Sequence, residues 1–447
     1  MKKQHIISIF RKNKTMIYML LLGVFGFASQ YIFKVILTHY LTPSLFGDFN
    51  LALRVLTILT ALSLLGTNIS SMRFLSDYLH LRQDERVGHY IKWNIRIIRI
   101  SFVICVVTAI VSYTSMYLLH IWNIKDIRSY HLSVYMLWLA PLASTLSLLN
   151  TYLLCANYPV NYAIVANSSN FSSMIFFLVL VALYKVEEID SLLLIIVLAS
   201  GFFLLILLDV YFIMKNAPYL FGHILHSISI KKPAKIDPDW HSVSIRLAIN
   251  GLLIVFLYSL DIIILKLISP YPGSAGLYAA TLTIAGSLFV IPRYIYSPIK
   301  AAVARFIATA EGRQFLEQTL KKSNQLLFGI TIFLALIILI YSKSLLHHFG
   351  AGYVQADTAL KILVVGFVVD AFAQPARAVL PYAGQETALL LFNGLTLLIA
   401  VVLGAILTYF YDMTGIAIAT TLIYTFRMVT LHWIAYHRAK IKTYLLF

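Results

Sequence analysis

Residues 192–214 read LLLIIVLASGFFLLILLDVYFIM, a run whose one charged side chain is Asp209. A helix rises about 1.5 Å per residue, so a run of this length reaches across a hydrocarbon layer of about 30 Å. Comparable blocks lie at roughly 16–38, 46–72, 92–119, 130–155, 160–184, 243–268, 275–299, 323–342, 358–380, 386–410 and 413–436. They are continuously apolar, whereas barrel strands would alternate over about ten residues. The chain is therefore expected to be an all-α integral membrane protein of about 12 transmembrane helices.

Composition agrees with that reading. Of 447 residues, 60% are hydrophobic and 12% charged, about half the charged fraction of a soluble domain. The net charge of +17 does not point to nucleic acid, because the basic residues sit in short segments between apolar blocks. Counted by side, one set of connections holds 25 Lys and Arg and the other 5. By the positive-inside rule both termini are cytoplasmic and the helix count is even. The basic segment Met1 to Thr15 precedes an apolar run too long for a signal-peptide core, so it leads into a retained first helix. Cys105 and Cys155 both fall in or at the end of apolar blocks and make neither a disulfide framework nor a metal site. No cofactor motif is present: there is no Walker loop, no His-Glu-x-x-His and no Gly-x-Ser-x-Gly.

The longest cytoplasmic linker divides the chain into an N-terminal six-helix lobe (1–214), the linker itself (215–242) and a C-terminal six-helix lobe (243–447). Within the linker Leu220, Phe221, Ile224, Leu225 and Ile228 recur at helical spacing, which predicts an amphipathic helix on the inner membrane surface. The two halves carry similar signals. Phe46-Gly47-Asp48-Phe49 opens helix two after a turn containing Pro43, and Ala275-Gly276-Leu277-Tyr278 opens helix eight after Pro270 and Pro272. Because six is even, the halves run the same way, as parallel repeats about an axis along the membrane normal, with a substrate site between them.

Five basic residues lie inside the blocks: Lys34, Arg54, Lys266, Arg293 and Arg427. Each costs about 3 kcal/mol or more at a helix centre, so each needs a wet cavity or a partner. Lys34 and Lys266 lie near helix ends, where snorkelling to the interface is the competing explanation. Asp261, Asp370 and Asp209 are the acids at membrane depth. Helical spacing puts Asp370, Gln374 and Arg377 on one stripe, and Asp261 on a face with Asn250 and Arg246. Asp261 and Asp370 have two readings of equal standing: carrier of a coupling H+ or Na+, or structural ion pair with an arginine. The surplus of bases over acids complements an anionic substrate such as a diphosphate.

Several short motifs, taken in order, resemble the polysaccharide exporters and O-antigen flippases of the multidrug/oligosaccharidyl-lipid/polysaccharide (MOP) superfamily. They are Tyr40-Leu41-Thr42-Pro43-x-x-Phe46-Gly47, Asp261-Ile262-Ile263-Ile264-Leu265, Gly276-Leu277-Tyr278-Ala279-Ala280, Phe349-Gly350-x-x-Tyr353-x-x-Ala356, and Gly415-Ile416-Ala417-Ile418-Ala419-Thr420. The resemblance implies two pseudo-symmetric six-helix lobes around a central cavity, in a bacterial inner membrane. It implies alternating-access flipping of an undecaprenyl-diphosphate-linked oligosaccharide, an O-antigen or other polysaccharide repeat unit, as in lipopolysaccharide assembly. Partners implied are that substrate, membrane lipids, a coupling ion and other polysaccharide assembly proteins. Arg54, Arg293 and Arg427, with Lys34 and Lys266, are the expected substrate-binding residues.

Two other readings compete. A cation-coupled drug exporter of the same superfamily would have an acidic, apolar cavity. A membrane-embedded oligosaccharide polymerase or glycosyltransferase would need a sizeable outer loop with catalytic residues, and the outer connections here are short. An enzyme is therefore not expected.

Overall fold

The computed structural model describes residues 2–122, 131–184, 191–229, 237–290, 292, 295–296, 303, 310–383 and 385–443, with the backbone alone for 2–16. The described residues are helical, with no strand among them. Among the described residues ten helices are long and apolar enough to cross a membrane. One of these, Thr387–His437, holds two spans, because Asp412 breaks it with φ 50° and ψ −132°; Ser274–Phe289 is a shorter apolar helix. Together they account for the twelve apolar blocks.

In chain order the elements are α1 (Lys2–Tyr40), α2 (Pro43–Leu64), α3 (Thr67–His80), α4 (Asp84–Ile121), α5 (Leu132–Cys155), α6 (Pro159–Asn167), α7 (Ser169–Tyr184) and α8 (Ser191–Asn216). They continue with α9 (Pro218–Ser229), α10 (Pro238–Leu257), α11 (Leu260–Ile268), α12 (Ser274–Ala285), α13 (Ala310–Ile340), α14 (Ser342–His347), α15 (Asp357–Phe372), α16 (Gln374–Val379) and α17 (Glu386–His437). Several apolar blocks are thus broken helices. Block two stops at Leu64 and resumes at Thr67, through Leu65 (φ 44°) and Gly66 (φ 75°). A side chain on Gly66 would meet the Ser244 carbonyl oxygen at 2.3 Å, so glycine serves both the left-handed backbone and the close approach of α10. Block seven is interrupted at Tyr258 and Ser259, between α10 and α11.

That second interruption falls between residues expected on one face: Arg246 and Asn250 lie on α10 and Asp261 on α11. The described chain divides into two compact units, Met1–Gly47 with Leu257–Phe447, and Asp48–Phe256. These units part at other points than the six-plus-six division.

The unit Asp48–Phe256 is centred on rings. Tyr90 meets Trp240 edge-on at 5.1 Å, and Trp240 Nε1 donates to Tyr78 OH at 3.0 Å. Polar side chains beside them are paired: Asn94 Nδ2 donates to Ser71 Oγ (2.9 Å) and Tyr152 OH (3.1 Å), and Ser244 Oγ donates to Ser70 Oγ (2.7 Å). The linker helix appears as α9. Its Leu220, Phe221 and Ile224 pack against this ring cluster, so much of the apolar face is turned to protein, and Leu225 stays exposed. Both cysteines are buried. Cys105 Sγ lies 3.5 Å from Ser63 Oγ, and Cys155 Sγ donates to the Ser71 carbonyl at 3.2 Å.

In the other unit the start of α2 and the start of α12 touch backbone to backbone. A Cβ on Gly276 would sit 1.9 Å from the Pro43 carbonyl oxygen, and one on Gly47 would sit 2.8 Å from Gly276 N. The two glycines singled out as matching helix starts therefore meet. Phe46 adds ring contacts to Phe349 (6.5 Å) and Tyr353 (6.2 Å), and Tyr31 meets Phe349 edge-on at 5.4 Å. Three of the short sequence motifs converge on this one packing cluster.

Candidate functional site

The interruption between α10 and α11 places Tyr258 where a hydroxyl is useful. Asp370, near the end of α15, is fully buried, and Arg377 follows two turns later on α16. Arg377 Nη2 lies 2.6 Å from Asp370 Oδ1 and donates to the Asp370 carbonyl at 2.6 Å. Its Nη1 donates to Tyr258 OH, and that hydroxyl donates to Asp370 Oδ2 at 3.2 Å. The carboxylate is held on both oxygens, as a buried charge requires. Arg377, one of the 25 basic residues counted in the connections on the basic side, is thus a half-buried ion-pair partner of Asp370 rather than a loop cation.

Arg427, on the second span of α17, comes to the same carboxylate. Its Nη1 is 4.0 Å from Asp370 Oδ1, and its guanidinium lies 5.2 Å from the centre of the Tyr258 ring. The side chain is 1% exposed, and its Nε and Nη1 make no hydrogen bond. Two guanidiniums thus share one carboxylate, with the nearer one engaged and the farther one holding spare donors.

One turn before Arg427, Tyr424 packs on Tyr258 at 6.0 Å and on Phe367 at 5.6 Å. Tyr424 also lines a small cleft with Asp261, Leu260, Ile264, Ala400 and Thr420. Asp261 lies in the first turn of its helix and accepts from Ile262 N at 2.8 Å. A chain of rings therefore links the Asp261 cleft to the Asp370–Arg377–Arg427 cluster, all within one unit. Tyr258 and Tyr424, the residues that make this link, gave no signal in the sequence beyond being two of 28 tyrosines.

The other expected residues are placed as follows. Lys34 is buried, at 9% exposure, and its Nζ donates to Thr283 Oγ1 of α12 at 3.1 Å, so it does not snorkel. Lys266 is half-buried on α11. Arg54 is half-buried on α2 and belongs to the unit Asp48–Phe256. Arg293 lies outside the described residues. Among the described residues no three His, Cys, Asp or Glu side chains are grouped to hold a metal ion. His348 Nδ1 instead contacts Tyr31 OH at 2.8 Å.

A chain whose described residues form this many apolar spans, with Lys34, Asp370 and Arg427 buried among them, has the make-up of a membrane transporter. The fold is that of MOP-superfamily transporters. A structure described as the inward-facing conformation of a multidrug resistance MATE family transporter of that superfamily superposes with TM-score 0.73 at 12% identity, covering 95% of this chain and 98% of the other. The outward-facing conformation of a MATE family transporter gives 0.69 at 12%, covering 96% of both chains. A MATE in the straight conformation gives 0.69 at 13%, covering 96% of this chain and 95% of the other. Residues 13–304 match the family described as polysaccharide biosynthesis protein, and the chain belongs to that family. No curated protein sequence matches the chain.

Proposed function

We propose that the protein flips a lipid-linked oligosaccharide, a polysaccharide repeat unit on undecaprenyl diphosphate, to the outer leaflet of a bacterial inner membrane by alternating access. The observation that carries this reading is the Arg427 guanidinium, buried beside a carboxylate already taken by Arg377 and left with two unbonded donor nitrogens. A planar fork with spare donors in low dielectric suits a diphosphate, which accepts two parallel hydrogen bonds. Lys34 adds positive field in the same unit, and Arg54, Arg293 and Lys266 complete the proposed substrate-binding set. Membership of a polysaccharide biosynthesis family supports a sugar-bearing cargo, and the chain acts as a carrier rather than as an enzyme. In this reading the halves 1–214 and 243–447 are pseudo-symmetric lobes joined by the cytoplasmic linker 215–242, and both termini are cytoplasmic. Other polysaccharide assembly proteins supply and consume the cargo.

The drug-exporter reading draws on the MATE likeness, which at this identity reports the fold alone. The two are separated in proteoliposomes by following undecaprenyl-diphosphate oligosaccharide, read by a membrane-impermeant lectin, against an organic cation. Lectin-accessible oligosaccharide that rises only with the protein present supports the flippase. Cation movement without it overturns the reading.

A further inference from the structure

The acid that the site above does not use is Asp209. It lies on α8 in the unit Asp48–Phe256, is 0% exposed, and neither carboxylate oxygen has a hydrogen-bond partner. We propose that Asp209 is a proton-binding site, occupied while α8 is packed against α5 and emptied when that packing opens.

Among the described residues, the helices packed against α8 bring no ionised partner to Asp209. Helices α5, α6 and α7, which pack against α8, contain no Asp, Glu, Lys, Arg or His. The fourth packed element, α9, carries His223 and His226. His226 is exposed, and His223 sets its ring on Tyr219 at 4.7 Å, where burial lowers it below the ordinary histidine value. Lys215 at the end of α8 is exposed, with its Nζ on Tyr211 OH at 3.3 Å. The remaining titratable groups on these elements are tyrosine hydroxyls and Cys155, which are neutral at ordinary pH. An ionised carboxylate enclosed here would lose its hydration with nothing in exchange, and the neutral acid is the form that such packing accommodates.

A second orphan lies on α5, which packs against α8. Tyr158 OH, just past α5, donates to the carbonyl of Asn216 at the end of α8, so the two helix ends meet there. Asn150 stands five residues before the end of α5, and Asp209 seven before the end of α8. Asn150 is buried and its Oδ1 has no donor. Protonation turns one Asp209 oxygen from an acceptor into an O–H donor, which lowers the number of orphaned acceptors in this packing. A metal cation would ask for about six oxygen ligands, against the three orphaned oxygens of Asp209 and Asn150. Binding forms one O–H bond with a proton taken from water, and release returns it to water.

The assignment does not depend on which cargo is carried. Its test is infrared difference spectroscopy of the full chain in proteoliposomes, wild type against Asp209→Asn, across a pH series with and without sodium. The expected result is a carboxylic-acid carbonyl band at neutral pH, lost in alkali, absent from the variant and indifferent to sodium. Asp209→Glu, which moves the band rather than deleting it, serves if the amide variant does not accumulate. A variant-sensitive carboxylate band in place of the acid band at neutral pH overturns the proposal. Replacement of the acid band by a carboxylate band on adding sodium at fixed pH also overturns it, in favour of a metal cation.

Discussion

Asp370 and Asp209 are equally buried aspartates in different units of one chain, and their surroundings solve the same problem in opposite ways. Asp370 is met by Arg377 at 2.6 Å, by the Tyr258 hydroxyl and by Arg427 at 4.0 Å. Asp209 is met by no donor among the described residues. An apolar interior tolerates a carboxyl group either by matching its charge or by removing it. The first solution fixes a structure, and the second leaves a group that can change state.

The largest test of this contrast is stability. Asp370→Asn removes the counter-ion shared by the buried Arg427 and the half-buried Arg377 and is expected to cost about 3–5 kcal/mol, seen as loss of monodisperse protein and a lower thermal midpoint in detergent. Asp209→Asn, which replaces a neutral acid by an amide of similar volume, is expected to cost less than about 1.5 kcal/mol. Equal losses in the two variants would erase the distinction.

Next in size is Arg427→Ala. If its spare donors hold a phosphate, each charge-assisted bond contributes about 1.5–3 kcal/mol, so affinity for the lipid-linked sugar falls roughly 10- to 150-fold while folded protein persists. Arg427→Lys, keeping charge without the fork, should recover part of that. Normal export by Arg427→Ala would falsify the binding role, and loss of the folded protein would assign Arg427 to the Asp370 structure instead. The smallest effect is expected for Tyr258→Phe. It deletes one hydroxyl bridge but keeps the direct Arg377–Asp370 pair, so the thermal midpoint should register only about 0.5–1.5 kcal/mol.

The helix inventory was legible because lipid demands about 20 apolar residues per crossing, whatever the packing. The boundary between the last two blocks, between residues 410 and 413, coincides with the break at Asp412. Interruptions inside blocks were not legible, since Tyr258 and Ser259 sit among apolar neighbours and alter hydropathy little. That hid the hinge that carries the Tyr258 hydroxyl to Asp370. The stripe of Asp370 and Arg377 was visible at helical spacing, yet Arg377 also looked like a loop cation, and only burial decides between the two. Asp209 was visible as an acid at membrane depth. Its isolation was not, because the absence of charge from α5, α6 and α7 matters only once those helices are known to enclose it.

The placement of the two thiols has a practical outcome for chemical probing. Cys105 and Cys155 are both enclosed by helix packing, so water-soluble maleimides have no ready target on the native chain. A single cysteine introduced at an exposed position such as Leu225 or Tyr411 can then be read against a quiet background without first stripping the natural ones. Side-by-side labelling from the two faces of a sealed vesicle would map which loops face which compartment, one engineered thiol at a time.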